Sequence, residues 1–290
     1  MAENVYCVSL LSSAKQPWSV PGNGCKAPGQ PYLPELLLAM ALMIAPIQAT
    51  AGPDWSLTEI HLQYGSLKNP DFQGGGNLDT FITTLHHVSL WGPADVFFFT
   101  DLQSIEGGNT DVYSEIYAGL SLGKLSHRKI GWGPIRDIGL RIGFNGSFDD
   151  EIRKYLPGIR LSWEVPGFRS LNTDILAFLD GSSGAGQGGA PKQTNSVNID
   201  VDWSRPFQLG GARFLLFGHV EYAGTRHNEF GKRVSWWVLG QPQFRYDLGY
   251  ALYHKPDQLY TGIEWQFWIN KQGESGTNEN AVQALLVWRF

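Results

Sequence analysis

From residue 56 onward the chain alternates apolar and polar positions with a period of two, in runs of about ten residues. In the last run, Val282, Ala284, Leu286, Trp288 and Phe290 fall on one face, with Gln283 and Arg289 on the other. The first run sets Ile60, Leu62 and Tyr64 against Glu59, His61 and Gln63, and another sets Val197, Ile199, Val201 and Trp203 against Asn198, Asp200, Asp202 and Ser204. The predicted strands are 56–64, 80–90, 95–102, 112–122, 137–145, 155–165, 171–177, 197–204, 214–222, 236–246, 259–269 and 281–290, twelve in all. Each has one apolar side and is too short to be a spanning helix.

A final strand with an apolar face and a free edge needs cover on both, and closure of the sheet in lipid supplies it. The predicted fold class is therefore all-β: a twelve-stranded antiparallel transmembrane β-barrel. Connections should alternate long and short. The stretches 65–79, 103–110, 146–154, 180–195, 223–234 and 270–279 are rich in Gly, Asn or charge, whereas 91–94 and 165–167 are tight. The turns near 123–134 and 247–257 are longer than this rule predicts, and the Gly-rich 180–195 reads as a mobile loop. Trp91, Trp163, Trp203, Tyr222, Tyr246 and Trp288 are expected to form girdles at the membrane interfaces.

The remaining stretches divide the chain into three. Residues 1–35 mix Pro, Gly, Ser and Lys without a period and read as a disordered extension or an over-early start. Residues 36–51 carry an apolar run from Leu36 to Ile47 and the small-x-small site Ala49-Thr50-Ala51, the pattern of a secretory signal peptide cleaved after Ala51, although its basic n-region is poor. Residues 52–290 are the barrel. Composition agrees, with 35 Gly, 11 Trp, 11 Tyr and 16 Phe against 17% charged residues. A mean hydropathy of -0.19 does not speak against a barrel, whose alternating faces average out. Net charge of -5 argues against a nucleic-acid polymer as partner. Cys7 and Cys25 both precede the strands, which excludes a disulfide framework or a thiolate metal site in the barrel.

The terminal Phe290 resembles the C-terminal signature of bacterial outer-membrane barrels. Further stretches resemble the nucleoside-specific channel-forming outer-membrane porins, the Tsx-like family: Gly92–Asp101 with Phe97-Phe98-Phe99, Tyr113–Ile116 leading into Leu120–Leu125, Gly133–Asp137, and Tyr155–Gly158. Gly210–Phe214, Gln241–Gly249, Gly262–Lys271 and the last strand continue the match, which covers the mature chain except for the Gly-rich 180–195. The resemblance implies a monomeric barrel of a Gram-negative outer membrane with a narrow pore, passing nucleosides or similar small polar solutes without a cofactor. The family also has a phage-receptor branch.

A nucleoside channel needs aromatic faces for the base and polar groups for the ribose. The inward faces offer the acids Glu59, Asp101, Glu115, Glu164 and Glu264, with Asp200 and Asp202 beside them. Arg141, Arg160 and Arg245 share the lumen, with Tyr113, Tyr117, Tyr260 and Trp268 between them. Any closed barrel has such a lining, but both charge signs together with aromatics suit a neutral polar solute. Two alternatives are a receptor or adhesion barrel without selective transport and, less favoured, a lipid hydrolase. For the last, His87 and Ser89 share a strand face and Glu115 would orient the His. No enzyme activity is expected. His86 and His87 point to opposite faces, and His61, His219 and His254 look scattered, so no metal site is expected.

Overall fold

The computed structural model describes residues 52–147 and 151–290. The extension expected at 1–35 and the signal segment expected at 36–51 lie outside the described residues. Strands are β1 (Trp55–Lys68), β2 (Asn77–Trp91), β3 (Ala94–Ile105), β4 (Asn109–Ser121), β5 (Ile135–Ser147), β6 (Ile152–Trp163), β7 (Ser170–Asp180), β8 (Ser196–Leu209) and β9 (Ala212–Ala223). A small hairpin, β10 (Arg226–His227) and β11 (Arg233–Val234), is followed by β12 (Trp237–Gly240), β13 (Gln243–Asp247), β14 (Leu259–Ile269) and β15 (Glu279–Arg289).

Each barrel strand pairs antiparallel with its neighbours, and β15 returns to β1 with Ile60 opposite Trp288, so the sheet closes and no edge is left. β12 and β13 are one interrupted strand, because both pair with β9 and β14 in a single register. Trp237 lies opposite Ala223 and Gln243 opposite Phe217, while Val238 faces Ile269 and Gln243 faces Glu264. The break falls at Gln241-Pro242, where proline has no N–H for the ladder. The barrel therefore has the twelve strands expected, most of them running a few residues past the predicted limits.

Burial is inverted relative to a water-soluble protein. Outward-facing Leu62, Leu85, Leu102, Ile142, Ile175 and Val282 are 37–59% exposed, whereas inward-facing Glu59, Arg245 and Gln283 are fully buried. An exposed apolar belt around a polar interior is stable in a lipid environment. No helix among the described residues is long and apolar enough to cross a membrane. Trp91 and Trp288 stand exposed on the belt near the end that carries both ends of the ring, called here the terminal end, as girdle residues do. Trp203 lies in mid-strand instead, because β8 runs on to Leu209.

Two of the terminal-end connections are two-residue turns, Gly92-Pro93 and Gly210-Gly211. The two that broke the length rule each begin with a short helix. In α1 (Leu122–Ser126) the Ser121 hydroxyl accepts the Lys124 N–H, and in α2 (Leu248–Tyr253) the Asp247 carboxylate accepts the Tyr250 N–H. His127 and His254 end the two helices in the left-handed region, at φ 53 and 55. At the distal end the 181–195 loop is tied down rather than free. Glu229 accepts the Ala185 and Lys192 N–H groups at 2.8 and 3.2 Å, and Arg226 donates to Gln193 at 2.8 Å. Composition points to mobility here, but side chains of the facing loop satisfy this loop's backbone.

Candidate functional site in the barrel lumen

The inward faces build the lumen in three layers. Nearest the terminal end, a chain of ion pairs runs across five strands. Arg141 meets Asp95 at 2.5 Å and Asp174 at 3.4 Å, and Arg160 grips Asp174 with two bonds of 2.7 Å and reaches Asp202 at 3.0 Å. On the opposite wall, Glu59 receives Arg245 at 3.1 Å, Arg289 at 2.7 Å and His61 at 2.8 Å. Guanidinium contacts of this kind hold buried carboxylates in place.

The middle layer is rich in carboxylates. Asp101 accepts from Thr84 at 2.6 Å, and Glu115 accepts from the Tyr113 hydroxyl at 2.6 Å and from Asn145 at 2.8 Å. Glu264 accepts from Gln243 at 2.6 Å and from Gln283 at 2.9 Å. Asp200 and Glu221 face each other across the β8–β9 ladder, next to His219. The distal layer is packed: Leu156, Leu176 and Phe178, each at most 5% exposed, cluster with Tyr117, and Leu67, Ile82 and Ala281 form a second cluster. There Lys271, outside the strands, bonds Glu279 at 2.7 Å, and burial pushes its ammonium below the usual lysine range against the pull of Glu279.

A cavity of about 1030 Å³ occupies the terminal and middle layers, lined from the terminal-end turns up to Glu115, Glu221 and Glu264. Lys124, Arg128, Lys129, Arg136 and Arg169 give its mouth a basic rim, set against Asp137 and Glu164. Phe97, Phe99, Tyr117 and Phe217 supply aromatic walls. Of the ten residues chosen from the sequence, Asp101, Glu115, Tyr117, Arg141, Arg160, Glu164 and Glu264 line this cavity. Glu59 and Tyr113 lie in the wall behind it, bonded to lining residues. Trp268 faces inward but in the distal layer, its ring 5.6 Å from that of Trp237 and 5.2 Å from the Lys271 ammonium.

The strand faces speak against one alternative and correct one expectation. His87 is on the outer face, bonded to Thr58 at 2.8 Å and stacked on Phe98, while Glu115 is in the lumen, so the wall of the barrel separates the acid from the histidine it was to orient. The histidines are also not scattered. Strand pairing gathers His61 and His86 beside Glu59, and His219 between Asp200 and Glu221. The sequence reading missed Glu221, His219 and the basic rim. A signal for the first two was present: a two-residue turn at Gly210-Gly211 dictates that Asp200 faces Glu221 and Asp202 faces His219.

No family of known proteins matches the chain, and no curated protein does. Solved structures with a similar fold include a KdgM porin, at 9% identity over 80% of this chain and 99% of the other, with a TM-score of 0.41. The COG4313 outer membrane channel from Pseudomonas putida F1 is 10% identical over 84% and 99%, with a TM-score of 0.48. NanC porin is 14% identical over 80% and 98%, with a TM-score of 0.46. The assignment as a closed barrel rests on the hydrogen-bonded ring itself.

Proposed function

We propose that the protein is a bacterial outer-membrane channel for passive diffusion of small polar solutes, with nucleosides as the preferred class. The observation that carries this reading is the cavity of about 1030 Å³, large enough for a nucleoside, in a barrel that is apolar outside and polar within. Phe97, Phe99, Tyr117 and Phe217 offer faces for a base, and Glu115, Glu264, Arg141 and Arg160 offer hydrogen bonds to ribose hydroxyls. Both charge signs are present and largely paired, which favours a neutral solute over an ion. In this reading the terminal end faces the periplasm and the distal loops face outward.

The test is flux into liposomes carrying the full chain, comparing a nucleoside with a sugar of similar size and a free base. Faster entry of the nucleoside is the expected outcome, and equal entry of all three overturns the nucleoside preference. The packed distal layer favours a second reading, a receptor barrel closed to solutes whose loops bind a phage or another surface. That reading predicts no entry of any of the three by a correctly folded barrel.

A further inference from the structure

Among the lumen carboxylates, Glu115 and Glu221 differ from the rest. Glu59, Asp95, Asp174 and Asp202 each meet a guanidinium. Among the described residues, the partners of Glu115 are instead a phenol and an amide, and Glu221 stands 6% exposed beside Asp200 and His219. Three acids thus gather about one imidazole, and among the described residues His219 alone is in ion-pair contact with any of them. The His219 ring, 2.8 Å from Asp200, offers at most one positive charge to the three carboxyl groups.

The geometry points to a binding site for a divalent first-row transition-metal ion, with zinc as the reference, held by Asp200, His219 and Glu221. Asp200 and Glu221 are directly opposed on β8 and β9, and His219 lies two residues before Glu221, so all three share the inward face. One ligand atom from each lies within 4.8 Å of the others. Metal bonds of about 2.0–2.2 Å would need only small side-chain movements to close on an ion.

The hydrogen bonds of His219 fit the role. The Gln241 amide donates to Gln266 at 2.9 Å, which turns its oxygen toward His219 Nε2, also at 2.9 Å. An Nε2–H therefore donates to Gln241, and an Nδ1–H donates to an Asp200 oxygen at 2.8 Å; a metal ion bound at Nδ1 takes the place of that second proton while Gln241 keeps the ring in position. A ligating histidine whose other N–H is fixed by an amide oxygen is the usual outer arrangement of a metal site.

A second, independent observation points the same way. Asn198 is fully buried on the inward face two residues before Asp200 and diagonal to Glu221; its amide nitrogen is directed at the Glu221 carboxylate, and its amide oxygen has no hydrogen-bond partner. Such a group in a native interior requires an explanation, and as an oxygen ligand it would have one. The other cluster, Glu59, His61 and His86, does not suit a cation. Its carboxylate is already taken by Arg245 and Arg289, and Arg245 reaches to 3.5 Å from His61 Nε2. Imidazole combined with carboxylate selects zinc and its transition-metal neighbours over calcium or magnesium.

This site does not depend on which solute crosses the barrel, and its test does not use flux. The full chain, stripped of metal with a chelator and held in detergent, is titrated with Zn²⁺ by calorimetry, and the loaded protein is examined by X-ray absorption. One ion per barrel, with one imidazole nitrogen, oxygen ligands and no sulfur, is expected. Asp200→Asn with Glu221→Gln should weaken binding by at least about tenfold, and His86→Ala should leave it unchanged. The proposal is overturned by absence of binding, by unaltered affinity in the double variant, by two imidazoles (the Glu59 cluster) or by sulfur ligands (Cys7 and Cys25). If the double variant does not fold, the ligand count in the wild-type protein decides.

Discussion

At the scale of single residues, Glu59 carries the heaviest electrostatic load. It is fully buried and bonded to two guanidiniums and an imidazole, and it ties β1 to β13 and β15. Removing it would leave Arg245, itself 0% exposed, without its carboxylate. We expect Glu59→Leu to destabilise the barrel by about 3–5 kcal/mol, the range for breaking a buried ion pair from one side. Arg245→Leu should cost less, because Arg289 still neutralises Glu59. Urea midpoints of refolding into vesicles would check both, and equal losses would show that Arg289 does not compensate.

At the scale of elements, the hairpin turns set what the strands can bring together. Gly210 and Gly211 adopt φ of 55 and 84, and this two-residue turn locks β8 to β9 so that Asp200 meets Glu221. A β-branched residue in that conformation is strained, by about 1–2 kcal/mol at each position. Gly210→Val with Gly211→Val should therefore lower stability by a few kcal/mol or loosen the turn, and an unchanged urea midpoint would show that the turn is not under this constraint. The helical turns follow the same logic. Ser121 and Asp247 cap α1 and α2, and α1 opens the connection that carries Lys124, Arg128 and Lys129 to the mouth of the cavity.

At the scale of the whole molecule, the lumen is asymmetric. A basic rim and a wide cavity occupy the terminal end, carboxylates follow at mid-barrel, and apolar clusters pack with buried ion pairs in the distal layer. A solute crossing the barrel must pass that packed layer, so it sets the resistance if the path runs along the axis. Leu156→Ala with Leu176→Ala removes two side chains that are 0% and 2% exposed and should raise single-channel conductance in planar bilayers several-fold. An unchanged conductance in a folded double variant would place the path elsewhere.

Alternation alone determined that the chain forms short, one-sided strands, and their number and placement were readable because side chains on a strand alternate strictly between faces. The same rule placed Glu115, Arg141, Arg160 and Glu264 inside before any contact was known. It could not say that Glu59 is sealed behind two arginines, that Trp268 belongs to the distal layer, or that Leu156 and Phe178 pack in one buried cluster. Those outcomes depend on how far each strand reaches and on which walls meet across the lumen. Residues as far apart in the chain as Glu59 and Arg245 become partners only when the ring closes. Period two decides which side of the wall a residue occupies, and closure of the barrel decides what it faces there.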